Sequence, residues 1–212
     1  MVHKIGNAIK NDINDNKFTY FGLFIFYIIG IILGSFAVND LDFQQQDDMT
    51  KYLNGFLKLL NNSEINGISL FEMSLLDNFK IILLFWGLGF TVIGIPIYYI
   101  IIGMRGFTTG FSSGVIMGVL GTKGILISTI CFLPKEIIVL PCLLVLGVNG
   151  IKLSRCILKN VLKKTIKDET GIMKKIGVYS FTTIFISIFI LLAALLDAYT
   201  SASTINLLCC IS

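Results

Sequence analysis

Ionisable groups inside an otherwise apolar stretch are the first candidates for chemistry. Between Gly106 and Ile151 the only charged residues are Lys123, Lys135 and Glu136. At membrane depth such groups mark a substrate path, a proton relay or a paired charge; near the end of a span they mark the interface. Pro134-Lys135-Glu136 falls between two apolar runs, so the spacing favours the outer interface for all three. Residues for catalysis are sparse. The one histidine, His3, sits in a polar tail with no second ligand nearby. No His-Glu-x-x-His or Walker glycine loop occurs. Gly87-x-Gly89 lacks the rest of a dinucleotide fingerprint, and the adjacent Asp47 and Asp48 would point in different directions on a helix. Cys131, Cys142, Cys156, Cys209 and Cys210 form no Cys-x-x-Cys; three lie in or beside apolar runs, where cysteine packs as a small apolar residue. These residues predict a protein that is not an enzyme and needs no cofactor or metal.

The elements that carry these residues follow from composition. Of 212 residues, 55% are hydrophobic and 14% charged; soluble domains average about 25% charged. Mean hydropathy is +0.84. A water-soluble fold cannot hide that much apolar surface behind so few charges. The expected class is all-α: one membrane domain over 1–212, a polytopic bundle of five transmembrane helices. Apolar runs place the spans at about 18–38, 81–103, 106–128, 134–153 and 176–196. The first run is too long for a signal-peptide core and follows a polar segment, so it reads as an uncleaved anchor. The middle is open. Thr122-Lys123-Gly124 can be a turn, with 124–151 one helix bent at Pro134. Alternatively 106–133 is one helix whose Lys123 snorkels, or 124–133 is re-entrant. Twelve of the 17 Lys and Arg, Arg105 among them, fall on the N-terminal side and five on the other, which places the N-terminus in the cytoplasm and the C-terminus outside.

Outside the spans, two segments stand out. The external loop 39–79 has no proline. Asp42-x-x-Gln45 and Ser69-x-x-Glu72 look like capping boxes. Between them Met49, Tyr52, Leu53, Phe56, Leu57 and Leu60 repeat at helical spacing. Tyr52, Phe56 and Leu60 form a candidate partner surface on a helix that otherwise covers the bundle. The cytoplasmic segment 152–175 holds eight Lys or Arg and two acids. It reads as a helix lying on anionic membrane lipid, and without aromatic or motif context it does not read as a nucleic-acid binder. Within the spans, Gly106, Gly110, Gly114 and Gly118 recur every four residues, and Gly30 and Gly34 repeat the pattern. Such rows let helix backbones touch, and they are compatible with self-association as well as internal packing.

The chain resembles the stage II sporulation protein M family. The resemblance rests on Lys4-Ile5-Gly6-Asn7-Ala8-Ile9-Lys10; on Gly30-x-x-x-Gly34-x-x-Ala37-Val38-Asn39; on Trp86-Gly87-Leu88-Gly89, Gly94-Ile95-Pro96 and Gly103-x-x-Gly106-x-x-x-Gly110-Phe111; and on Leu133-Pro134 with Leu140-Pro141. Many members of the broader family read Pro-His-Gly-x-x-Glu-x-Pro where this chain has Pro134-Lys135-Glu136-Ile137-Ile138-Val139-Leu140-Pro141, so any ion-handling role of that motif does not carry over. The resemblance implies a non-enzymatic scaffold of endospore formation at the sporulation septum and engulfing membrane of the mother cell. There it would act in septum migration and forespore engulfment, and recruit the peptidoglycan hydrolases, stage II sporulation proteins D and P. The competing expectation is a transporter or channel component built around Lys123, Lys135 and Glu136.

Overall fold

A computed structural model describes residues 14–42, 44–45, 47–51, 67–163 and 169–211. No strand occurs among them. The long helices are α1 Lys17–Asn39, α2 Gly67–Leu88, α3 Gly94–Leu120, α4 Thr122–Lys163 and α5 Glu169–Ile211. Four described stretches are long and apolar enough to cross a membrane: Lys17–Asn39, Gly94–Val119, Phe132–Lys159 and Met173–Leu195. The first and last coincide with apolar runs read from the sequence. The middle ones do not. The run 81–103 is broken after Leu88, and 106–128 is cut by a turn at Gly121, so 94–120 is one helix. The stretch 134–153 lies inside the single helix α4, which carries Pro134 and Pro141 in its interior.

Both corrections have a local cause. After Leu88 the chain turns through Gly89 and Phe90, and Thr91 closes the helix end by donating to the Leu88 carbonyl from its N–H (3.0 Å) and its hydroxyl (2.9 Å). Pro96 then falls in the first turn of α3, where a missing N–H does no harm. At the other end Gly121 adopts φ +59°, and its N–H satisfies the Met117 carbonyl at 2.9 Å. Gly124 follows at a point where a Cβ would crowd the Ile116 and Met117 backbone. The result is a tight α3–α4 hairpin.

Side-by-side contacts fix the directions. Gly22 of α1 faces Tyr99 of α3 and Gly114 of α3 faces Val38 of α1, so these two run parallel. Glu136 of α4 meets Arg105 of α3, and Gly150 meets Tyr98, so α3 and α4 run antiparallel. Cys156 meets Lys175, and Trp86 meets Ser180, which sets α5 antiparallel to both α4 and α2. Successive helices therefore alternate. One end of the bundle, termed basal, carries Lys17, the 89–93 turn, the end of α4 and the start of α5. The distal end carries Asn39 and Gly121. Near the basal end Leu23, Phe85, Tyr98, Ile102, Leu146 and Ile151 form a fully buried core.

The α1–α3 contact is backbone on backbone. A Cβ on Gly30 would collide with the Gly103 carbonyl, one on Gly34 with that of Phe107, one on Gly106 with that of Tyr27 and one on Gly110 with that of Ile31. Gly114 sits 3.0 Å from a Val38 methyl by the same construction, and nothing approaches Gly118 within 4 Å. The expected row is thus a packing seam over its first members and open at its last. Beyond the distal end, Gln45 accepts from the Asp42 N–H at 3.2 Å, the reach-back bond of a capping box. Ser69, by contrast, lies inside α2 rather than at its cap. Lys51 lies 2.5 Å from Asp47, which raises its pKa above the ordinary lysine value. Gly30→Ala and Gly110→Ala should each lower stability by about 1–3 kcal/mol through overpacking, whereas Gly118→Ala should be neutral. Thermal unfolding of the purified chain in detergent checks the contrast, and equal behaviour of all three variants would refute the seam.

Candidate functional site

Three helices converge on one carboxylate. Glu136 Oε2 accepts from the Tyr27 hydroxyl of α1 at 3.1 Å. Its Oε1 accepts from the Thr109 hydroxyl of α3 at 3.2 Å and lies 3.7 Å from Arg105 Nε. The Thr109 hydroxyl also lies 3.1 Å from the Arg105 carbonyl, so its single proton serves one of two acceptors at a time. The Arg105 and Glu136 side chains are only 16% and 14% exposed. By helical rise Tyr27 lies about 15 Å from the start of α1, Arg105 about 16 Å from the start of α3 and Glu136 about 21 Å from the start of α4. Arg105 thus stands near the middle of the apolar stretch Gly94–Val119, and Glu136 one turn inside the Phe132 end of the stretch Phe132–Lys159.

That placement corrects one expectation. Arg105 is not a loop cation; it sits in the interior of α3, opposite the carboxylate. Glu136 is part-buried against α1 and α3. Lys135, half-buried beside it, lines the same cleft. Lys123 is apart from both, in the first turn of α4 next to the Gly121 turn. Tyr52, Phe56 and Leu60 lie outside the described residues.

The cleft lies between α2, α3 and α4 and encloses about 650 Å³. On the α2 side stand Asp77 and Lys80, paired at 3.5 Å, with the buried Asn78 between them. On the α3 side are Arg105, Thr108, Thr109 and Ser112. Its walls thus carry three cations and two carboxylates. Among the described residues every buried side-chain oxygen and nitrogen has a hydrogen-bond partner, as a low-dielectric interior requires. Removing one member of a buried pair strands the other, whereas removing both together does not.

A second polar cluster secures the basal turn. The Phe85 carbonyl accepts from the Tyr98 and Tyr179 hydroxyls, each at 2.7 Å, and from the Gly89 N–H at 3.3 Å. Ser154 donates to the Gly89 carbonyl at 3.3 Å. Carbonyls left over at a helix end inside a membrane need such donors. Gly150 and Gly89 leave room for the two tyrosine rings. Tyr98, Tyr179 and Ser154 carry no sequence pattern that marks them. Gly89 and Pro96 offered a helix stop and a helix start, which the reading of 81–103 as one span passed over.

Sequence reasoning also missed Tyr27, Arg105 and Thr109. The available signal was Arg105 alone in an apolar run that, drawn from Gly94 to Leu120, puts it at mid-helix with Glu136 as the first acid that follows it. Sequence reasoning also passed over Gly110-Phe111-Ser112-Ser113-Gly114, which spells Gly-x-Ser-x-Gly, but that motif needs a strand-to-helix elbow. Here it is continuous helix, and its serine, Ser112, lines the cleft. Among the described residues no cluster of His, Cys, Asp and Glu could hold a metal ion.

Four apolar helices long enough to cross a membrane, packed around a largely buried charge pair, mark a polytopic α-helical membrane protein. The family model for stage II sporulation protein M matches residues 23–202, and the chain belongs to that family. It is therefore a sporulation-related membrane protein. No curated protein and no solved structure matches the chain. The motif residues of the resemblance fall on structural joints: Gly30, Gly34, Gly106 and Gly110 on the α1–α3 seam, and Gly89, Gly94 and Pro96 at the basal turn. Val139, 1% exposed, and Glu136 stand one turn apart on one face of α4.

Glu136→Ala should lower stability by about 3–5 kcal/mol by leaving Arg105 unpaired. The double variant Arg105→Met/Glu136→Leu should recover most of that loss. A double-mutant cycle read by thermal unfolding in detergent measures it, and additive losses would mean that the pair is not coupled.

Proposed function

We propose that this protein is a non-enzymatic membrane scaffold of forespore engulfment that holds the wall hydrolases, stage II sporulation proteins D and P, at the septal membrane. In this reading α2 is a fifth crossing. Its 22 residues span about 33 Å, and it runs antiparallel beside α5. Glu72, Asp77 and Lys80 lower its hydropathy, and the last two face the cleft. The observation that carries the proposal is the alternation of helix direction combined with the distribution of charge. Lys17, Lys152, Arg155, Lys159, Lys174 and Lys175 lie at the basal end, and Asp40, Asp42, Asp47 and Asp48 follow the distal end of α1. With Lys80, Arg105 and Lys135 removed from the loops, the sequence segments hold eleven cations on the basal side against three on the other, a stronger bias toward a cytoplasmic basal end. The 40–66 segment and the C-terminal part of α5 then face the cell wall, where a hydrolase and its substrate lie.

A transporter or channel component is the second reading, and the charged cleft favours it. The folded double variant Arg105→Met/Glu136→Leu separates the two. A scaffold would still retain the hydrolases and support sporulation; a transporter would fail to support sporulation whether or not it retains them.

Reporter fusions after Asn61 and Lys167 test the orientation: a reporter active only outside the cytoplasm should work at the first site and be silent at the second. The scaffold role itself predicts that the full chain isolated from sporulating cells retains proteins D and P, and that Tyr52→Ser/Phe56→Ser reduces their recovery severalfold at equal expression. Undiminished recovery would remove that face from the interaction.

A further inference from the structure

Arg105 leaves most of its donors unused. A guanidinium carries five N–H groups in a fixed planar fork. Its ion pair with Glu136 is made from Nε at 3.7 Å, beyond hydrogen-bonding length. Among the described residues, no oxygen accepts a hydrogen bond from the guanidinium. Yet the side chain is largely buried and stands in the middle of an apolar stretch. Every fully buried side-chain nitrogen among the described residues has a partner, so the donors of Arg105 face open space. The space that Arg105 lines is the cleft between α2, α3 and α4. Ser112, two turns along the same face of α3, lines it too, and its hydroxyl likewise bonds to no described residue.

Glu136 already offsets the charge of Arg105, so the unmet demand is for an acceptor that fits the fork. Two oxygens held side by side fit it, as in a carboxylate or a phosphate, and such charge-assisted bonds are about twice as strong as neutral ones. Glu136 decides between the two. A phosphate monoester carries about two negative charges and would set both beside an existing carboxylate; a carboxylate sets only one there. Size and lining describe the rest of the ligand. A cleft of 650 Å³ falls among small-molecule sites, about 300–1,000 Å³. Leu84, Ile101 and Leu143, each one or two turns nearer the basal end than a charged residue on its own helix, make that half of the lining apolar. On the distal side of Arg105, Thr108 and Ser112 add hydroxyls.

We propose that the cleft binds a small carboxylate, its two oxygens on the Arg105 fork and its apolar body toward Leu84, Ile101 and Leu143. Binding is read on the isolated chain and the scaffold role on hydrolase recovery, so either can fail alone. The test uses the full chain in neutral detergent with para-fluorobenzoate and its neutral isostere para-fluorobenzamide. Fluorine NMR line broadening is compared with that in protein-free micelles. The benzoate should bind about tenfold more tightly than the amide, because only the carboxylate makes charge-assisted bonds. Arg105→Lys keeps a cation opposite Glu136 but removes the fork; it should weaken benzoate about tenfold while the melting temperature stays near that of the parent chain. Leu84→Trp, which narrows the apolar half from a half-exposed position, should weaken it as well, so the test does not depend on one variant. Arg155→Gln, an exposed cation that does not line the cleft, should leave binding unchanged. Broadening no greater than in micelles would leave the cleft to water and overturn the site. Equal binding of the two probes, full binding in both cleft variants, or an equal loss in Arg155→Gln would overturn it too. Displacement of benzoate by equimolar inorganic phosphate would overturn the choice of carboxylate.

Discussion

The architecture depends on the glycine seam between α1 and α3. In lipid there is no hydrophobic gain in bringing two apolar helices together, so close backbone packing has to supply the attraction. Gly30 and Gly34 on one helix and Gly106 and Gly110 on the other remove the side chains that would hold the backbones apart. The approach is close enough for Ser35 of α1 to donate to the Gly110 carbonyl of α3 at 3.3 Å. It also brings Tyr27, one turn before Gly30, within reach of a carboxylate carried by α4.

That carboxylate is the second constraint. A charge packed between apolar helices is tolerated only when it is paired and hydrogen-bonded. Glu136 meets the condition through Tyr27, Arg105 and Thr109, which belong to two other helices. The seam and the charge cluster therefore support each other: the seam sets the distance, and the cluster penalises any slip of α1, α3 or α4 along its axis. At the basal end the Tyr98–Tyr179–Phe85 cluster does the same for α2, α3 and α5. Polar groups in this bundle act chiefly as register marks in an apolar medium that would otherwise permit sliding.

A bundle fixed in this way suits the proposed role. A scaffold must hold its two ends in a constant relation while presenting different chemistry at each. The basal end gathers lysines, and the distal side carries acidic residues and the capped start of a helical segment. The cleft beside α2 places charged side chains next to free space between helices, and it is there that the scaffold and transport readings diverge.

Composition and apolar run length were enough to read the membrane class, the all-helical fold and the outer spans, because burial in lipid demands long uninterrupted apolar helices whatever their neighbours. The glycine rows were legible as packing faces for the same reason. The helix breaks near Leu88 and Gly121 were only half legible: hydropathy does not change across 81–103, and the stop lies in Gly89 and Pro96, residues that an apolar run also tolerates. What only the tertiary structure decided is which charges meet. Arg105 looked like the end of a span because its own sequence neighbourhood offers no partner. Its partner stands 31 residues away, on a helix whose position depends on the hairpin at Gly121, and a third helix supplies the Tyr27 hydroxyl. Pairing across three helices is a property of their packing, and no local pattern in any one of them encodes it.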